Sequence, residues 1–198
     1  MSASRDLSAL LGSRICHDLI SPLGAIGNGI ELLAMNPSGQ SPEVALIAES
    51  VENANARIRY FRVAFGAASA EASLSRGEIV EILKDLTKGS RVGIEWDAMG
   101  ALSRADVKLC FLLVLCLESA MPWGGQIHVT GDGGQWNIGA TSERFKIEPG
   151  VWELLVNPAA EVDITAAKVQ FALVPDTARA LGRTVTTDIR DSYIKVSF

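Results

Sequence analysis

A long amphipathic segment near the start of the chain constrains the fold most strongly. Its apolar residues recur at steps of three or four, at Leu7, Leu11, Ile15, Leu19, Leu23, Ile26, Ile30 and Leu33. At about 100° per residue they occupy one stripe roughly 160° wide, which predicts a single helix over residues 6–35 with one buried side. Asn36-Pro37-Ser38-Gly39 ends this helix, and Ser41-Pro42-Glu43 predicts the start of the next one.

A second apolar series predicts the partner helix. Val44, Ile47, Val51, Ala54, Ile58, Phe61 and Phe65 follow one another at alternating steps of three and four, which is the seam of a coiled coil. One helical hairpin has too little depth to cover two such stripes. We therefore expect residues 1–70 to form a dimerisation hairpin that pairs with a second copy in a four-helix bundle.

Residues 71–198 predict a mixture of helices and strands. The patterns favour helices over 78–88 and 105–120 and a helix ending near 181–182, with strands over 92–97, 126–130, 135–140, 184–189 and 193–198. In the strand 126–130, alternation places Ile127 and Val129 on one face and His128 on the solvent side. Helices packed on one face of a mixed sheet are expected, so the fold class is α+β.

His17 lies nearly opposite the centre of the apolar stripe on the first helix, so its imidazole is expected to face solvent. Asp18 follows it directly, and Pro22 predicts a kink nearby, because proline lacks an N–H and crowds the preceding turn. Small or polar residues share the histidine's face within about 40° and leave room for a bulky partner: Ser13, Ser21, Gly24 and Asn28. A neutral, exposed imidazole can act as a nucleophile. The alternative is an ordinary solvated histidine.

Composition argues against several classes of protein. The net charge of −5 argues against general nucleic-acid binding. The longest apolar run, 109–117, is far shorter than the ~20 residues needed to span a bilayer, so we expect it to form a buried helix. The three cysteines form no C-x-x-C pair, and Cys16 has no further ligands at suitable spacing, so neither a disulfide nor a metal site is expected. Free thiols without a signal segment predict a cytoplasmic protein.

The six residues His17-Asp18-Leu19-Ile20-Ser21-Pro22 resemble the H-box of two-component histidine kinases, which reads His, Glu or Asp, three variable residues and Pro. Residues 112–129 are similar to the kinase stretch from the N-box helix through Gly-Gly into a strand. Residues 172–198 are similar to the last kinase helix and closing hairpin. The resemblance covers nearly the whole chain and implies a dimerisation domain followed by an ATPase-like α/β sandwich.

The residues with which kinases bind nucleotide are missing from this sequence. Apolar residues and Glu118 stand where the N-box asparagines belong, and the stretch from Gly139 to Arg144 replaces the Asp-x-Gly-x-Gly loop. Lys168-Val169-Gln170-Phe171 stands in place of Gly-x-Gly before the last helix. The resemblance therefore implies a degenerate ATPase-like domain that binds no nucleotide.

An exposed H-box histidine combined with such a domain resembles the ChpT-type histidine phosphotransferases. This resemblance implies that His17 accepts a phosphoryl group from the receiver domain of a hybrid kinase and passes it to response regulators. Asp18 would orient the ring. No cofactor is expected on this chain, because Mg²⁺ belongs to the receiver. An ATP-dependent histidine kinase core and a non-catalytic dimeric adaptor remain the alternatives.

A receiver is expected to dock around His17. The expected contacts are Ser13, Arg14, Ser21, Pro22, Gly24, Asn28, Arg57 and Arg59. If the hairpin turn centres near Gly39, Phe61 lies level with His17, and Arg57 and Arg59 flank the apolar stripe of the second helix at that height. The alternative is that these arginines only solubilise the helix. Receivers carry carboxylates around their phosphorylated aspartate, so both arginines should steer the encounter.

Overall fold

The structure is a computed structural model that describes residues 6–35, 42–68, 72–132 and 134–198. It begins with a helical hairpin of α1 (Leu7–Met35) and α2 (Pro42–Ala64). Asp18 lies opposite Arg57, and Gly29 lies opposite Ile47, so the two helices run antiparallel. The two helices predicted for the hairpin are confirmed, whereas the predicted turn at 36–41 lies outside the described residues. α1 continues through Pro22 as one helix.

The rest of the chain forms an α/β layer. Its elements are β1 (Ser73–Ser75), α3 (Arg76–Thr87), β2 (Val92–Trp96), β3 (Ala101–Ser103), α4 (Arg104–Ser119), β4 (Gly125–Asp132), β5 (Gln135–Thr141), α5 (Pro149–Glu153), a 3₁₀ turn (Ala166–Lys168), α6 (Val169–Ala180), β6 (Thr186–Ile189) and β7 (Tyr193–Ser197). Five strands make one sheet in the order β2-β4-β5-β7-β6, in which only β2 and β4 are parallel. β1 and β3 form a separate antiparallel pair. The α+β class is confirmed.

Local sequence explains where the helices of this layer begin. Ser75 caps α3 by accepting a hydrogen bond from the Glu78 backbone, and the Glu78 carboxylate accepts one in return from the Ser75 backbone. Ser103 caps α4 with its hydroxyl alone, which accepts hydrogen bonds from the backbone N–H groups of Ala105 and Asp106. Residues 109–117 of α4 are all buried, as expected for a helix inside the core.

The hairpin packs directly on the α/β layer. Tyr60 of α2 stacks on Phe111 of α4 with ring centroids 4.4 Å apart, and its hydroxyl donates to the Phe111 carbonyl at 2.7 Å. Val63 and Ala64 are buried in the same core. The C-terminal half of α2 is therefore part of the interior of the α/β layer, and the site on α1 is held next to it.

One face of the large sheet remains open. His128 is exposed there and pairs with Asp97 at 2.5 Å, while Ile127 and Val129 are buried on the other face. The predicted orientation of this strand is confirmed.

Within the described ranges, no helix is both long and apolar enough to cross a bilayer.

Candidate functional site

His17 and Asp18 are neighbours on α1 with opposite exposure. The imidazole is 84% exposed, whereas the Asp18 side chain is 9% exposed. Consecutive helical residues point about 100° apart, so one side chain projects into solvent and the other turns toward the α/β layer. His17 Nδ1 lies 3.1 Å from Asp18 Oδ1. With the proton on Nδ1 the ring donates to this carboxylate, and the lone pair on Nε2 is left facing solvent.

Two arginines hold the other oxygen of the Asp18 carboxylate. Arg14, one turn earlier on α1, donates from Nε to Oδ2 at 2.9 Å. Arg57 of α2 places Nη1 3.7 Å from the same oxygen. Arg14 also donates from Nη1 to the carbonyl of Ala167 at 2.7 Å, in the 3₁₀ turn before α6. The carboxylate is therefore fixed by groups from α1, α2 and the α/β layer.

A cleft of about 690 Å³ lies beside this carboxylate, between the hairpin and the α/β layer. Arg14, Asp18 and Arg57 line it, together with Lys88, Glu118 and Lys168. Burial raises the pKa of the Glu118 carboxyl, an effect that Arg57 and Arg14 oppose and that Asp18 reinforces. From the sequence, Glu118 is identified only as a substitute for an N-box residue. A lone carboxylate near the end of an apolar helix is the signal by which this cleft residue could be found.

The small-residue face predicted around His17 is exposed. Ser13, Ser21, Gly24 and Asn28 are all exposed, and Pro22 is half-buried at the edge of the cleft. A Cβ placed on Gly24 would meet no atom within 4 Å. This part of α1 is therefore open to a partner of substantial size.

The structure does not bring Arg59 to this face. Arg59 pairs with Asp85 of α3 and lies 3.6 Å from Glu81 on the same helix. Residues two positions apart on a helix point about 200° apart, so only Arg57 can face α1. The structure also changes which residue of α2 lies beside His17. Since Asp18 lies opposite Arg57, His17 is level with about Ile58, nearly one turn before Phe61.

Aromatic side chains of α5 and α6 pack against each other. Trp152 and Phe171 meet edge to face with centroids 5.5 Å apart, and Lys168 Nζ lies 5.8 Å from the Phe171 ring. Both aromatic residues are buried.

Among the described residues, no three His, Cys, Asp or Glu side chains converge in a way that could hold a metal ion.

Comparison with known proteins gives consistent matches. A family model described as the histidine phosphotransferase C-terminal domain matches residues 76–193. The chain is 36% identical over 171 residues to protein phosphotransferase ChpT of Brucella abortus (strain 2308). This match covers 83% of this chain and 81% of the relative. A solved structure of a bacterial phosphotransferase matches with a TM-score of 0.83 at 32% identity, covering 100% of this chain and 98% of that one. Because the family model spans more than half of the chain and the relative is similar over most of it, the chain belongs to the ChpT-type histidine phosphotransferases, enzymes of phosphorelays.

Proposed function

We propose that His17 is the residue that carries the phosphoryl group, taking it from the aspartyl phosphate of one receiver domain and giving it to the aspartate of another. One observation carries this proposal: an 84% exposed imidazole whose Nδ1 is hydrogen-bonded to a carboxylate that is itself only 9% exposed. The other histidine in the chain, His128, lies on the sheet face, with Asp97 as its partner.

The transfer step follows from this arrangement. The Nε2 lone pair attacks phosphorus, the bond between phosphorus and the receiver's carboxylate oxygen breaks, and the receiver's aspartate leaves as a free carboxylate. The positive charge that develops on the ring is stabilised by Asp18 through the Nδ1–H bond. The receiver supplies Mg²⁺ and the cationic groups on the phosphate oxygens, so this chain contributes mainly a positioned nucleophile. The return of the phosphoryl group to a second receiver follows the same route in reverse.

The proposed active form is a homodimer. Large apolar side chains are exposed along the hairpin: Ile20, Leu23, Ile30 and Met35 on α1, and Val44, Val51 and Ile58 on α2. Contiguous exposed apolar surface of this kind is typical of an association surface. The hairpin of a second copy would cover it and complete a four-helix bundle.

The proposed reaction uses no ATP. The N-box and glycine loops of kinases are absent from the sequence, and the packing of Trp152 against Phe171 supports a filled interior next to α6. We further propose a cytoplasmic location, since the three cysteines are free thiols. The partners proposed are the receiver of a hybrid kinase and the receivers of response regulators.

The test is phosphotransfer profiling with purified receivers. Wild type, His17→Ala and His128→Ala are each incubated with phosphorylated receiver domains, and acid-labile phosphate is measured on the chain. Wild type and His128→Ala should become labelled, whereas His17→Ala should stay unlabelled and keep its melting temperature, because an exposed side chain makes no core contact. Label on His17→Ala would show that the acceptor is another residue. A parallel incubation with Mg-ATP alone should leave the wild type unlabelled, and labelling there would favour an active kinase.

A further inference from the structure

We propose that Arg14 is a positioning residue for phosphoryl transfer: it holds Asp18, and through Asp18 the ring of His17, using the α/β layer as its anchor. The proposal rests on the proposed role of His17. It assigns Arg14 a role inside the site, whereas the sequence suggested only a contact with the incoming receiver.

The guanidinium of Arg14 makes two bonds at once. Nε donates to Asp18 Oδ2 at 2.9 Å, and Nη1 donates to the Ala167 carbonyl at 2.7 Å. Ala167 is 153 residues away in sequence and belongs to the turn that leads into α6. A planar guanidinium that donates at two positions has no freedom to rotate, so the position of the α/β layer sets the orientation of the guanidinium.

The two oxygens of the Asp18 carboxylate have different partners. Oδ2 faces Arg14 and Arg57, while Oδ1 remains free to accept from His17 Nδ1 at 3.1 Å. If Arg14 releases Oδ2, the carboxylate turns toward Arg57, its other cationic partner, and Oδ1 leaves the imidazole. The ring then has no fixed acceptor for its Nδ1 proton. A larger share of the molecules would carry the proton on Nε2, which is the wrong tautomer for attack.

Arg14 and Arg57 differ in exposure, which assigns positioning to Arg14 and docking to Arg57. The Arg14 side chain is 18% exposed and both of its bonded nitrogens are engaged within the chain, whereas Arg57 is 45% exposed. An incoming receiver therefore meets Arg57, while Arg14 is already occupied. Loss of Arg14 should lower the rate of transfer within the complex and leave the affinity for the receiver unchanged.

The test uses Arg14→Lys, which keeps the charge but offers one nitrogen in place of the fork. Arg179→Lys is the matched control, because Arg179 is exposed on α6 and its guanidinium pairs, among the residues that the structure describes, only with Asp176 on the same helix. Single-turnover transfer from a phosphorylated receiver is measured over a range of receiver concentrations. We expect the saturating rate of Arg14→Lys to fall about tenfold to a hundredfold, with an unchanged half-saturating concentration, and the control to match wild type.

A second readout does not depend on transfer. ¹⁵N NMR of the imidazole should show His17 protonated at Nδ1 in the wild type and in Arg179→Lys, and a mixture of tautomers in Arg14→Lys. In an Asp18→Asn background, Arg14→Lys should produce no further loss of rate, since Arg14 acts through that carboxylate. Arg14→Gln serves as the second variant if Arg14→Lys does not fold, because its short amide cannot reach both partners.

The outcomes separate the two proposals. An unchanged saturating rate, or a raised half-saturating concentration with an unchanged rate, overturns the positioning role. An unchanged tautomer overturns it as well. If the wild type transfers nothing while Arg14→Lys still alters the His17 tautomer, the proposed function fails and the hold of Arg14 on Asp18 stands.

Discussion

Gly29 of α1 lies so close to Ile47 of α2 that a Cβ at residue 29 would stand 2.5 Å from Ile47 Cγ1. The packing of the hairpin therefore requires glycine at this position. Gly24 has no such requirement, because a Cβ there would meet no atom within 4 Å. A glycine inside a helix costs about 1 kcal/mol relative to alanine. The presence of Gly24 on the face of His17, without a contact inside the chain, is consistent with a partner that approaches α1 closely.

Enlarging Gly24 should separate stability from activity. Gly24→Ala should raise the free energy of unfolding by up to about 1 kcal/mol, measured by urea denaturation. Gly24→Leu should remain folded but slow transfer from a phosphorylated receiver, because the added side chain occupies the approach to His17. Gly77→Leu is the control, since Gly77 is exposed on α3 and a Cβ there would meet Ser75 Oγ only at 4.0 Å. Wild-type transfer by Gly24→Leu would show that the receiver approaches from elsewhere.

Val51 and Ala54 belong to one apolar series on α2 but differ in environment. Ala54 is 8% exposed and lies inside the chain, whereas Val51 is 40% exposed. Val44 and Ile58, each seven residues from Val51, are exposed on the same side. A heptad-spaced row of this kind is typical of the seam between two hairpins.

Placing charge in this row should dissociate the proposed dimer. Val51→Glu combined with Ile58→Glu would bury four carboxylates in the four-helix seam, which is strongly unfavourable. We expect a monomer by light scattering after size-exclusion chromatography, with transfer lost or strongly reduced. Val156→Glu changes an equally exposed apolar residue next to α5 and should leave the dimer intact. A double variant that stays dimeric would place the interface on another surface.

The half-buried carboxyl of Glu118 should make stability depend on pH. Burial, reinforced by Asp18, raises its pKa against the opposing effects of Arg57 and Arg14. The folded state therefore binds this proton more tightly than the unfolded chain does. Stability should fall as pH rises above the unfolded value of about 4.3, and the fall should end once pH exceeds the raised folded value.

Glu118→Gln removes this titration while keeping the shape of the side chain. Relative to wild type, its melting temperature should rise progressively as pH increases above the unfolded value of about 4.3. Glu153→Gln, a change at an exposed carboxylate on α5, is the control for surface charge. A Glu118→Gln protein that becomes less stable than wild type as pH rises would show that the ionised carboxylate is stabilised by its arginines.

Local patterns in the sequence were sufficient for the features that depend on one helix or strand. The exposure of His17 and the alternation around His128 follow from periodicity, and the burial of 109–117 follows from its unbroken run of apolar residues. The strands β1 and β3 were not predicted, because three residues show no period. The bond from Arg14 to the Ala167 carbonyl joins two distant segments through a backbone atom, and no pattern of residue types encodes such a contact.

Arg57 and Arg59 of α2 should differ in their effect on the encounter with a receiver. The sequence assigned both Arg57 and Arg59 to receiver docking, but the rotation of α2 places only Arg57 beside Asp18 and commits Arg59 to Glu81 and Asp85. Arg57→Glu should therefore slow transfer strongly at low ionic strength and sub-saturating receiver. The effect should shrink as salt shortens the Debye length from about 10 Å at 0.1 M to about 3 Å at 1 M.

Arg59→Glu should lower the melting temperature, because it places three carboxylates together, and should leave the low-salt association rate close to wild type. Arg57→Gln, which removes charge without reversing it, should fall between wild type and Arg57→Glu. Equal effects of Arg57→Glu and Arg59→Glu on the association rate, or an Arg57→Glu defect that persists unchanged in high salt, would show that Arg57 does not steer the receiver.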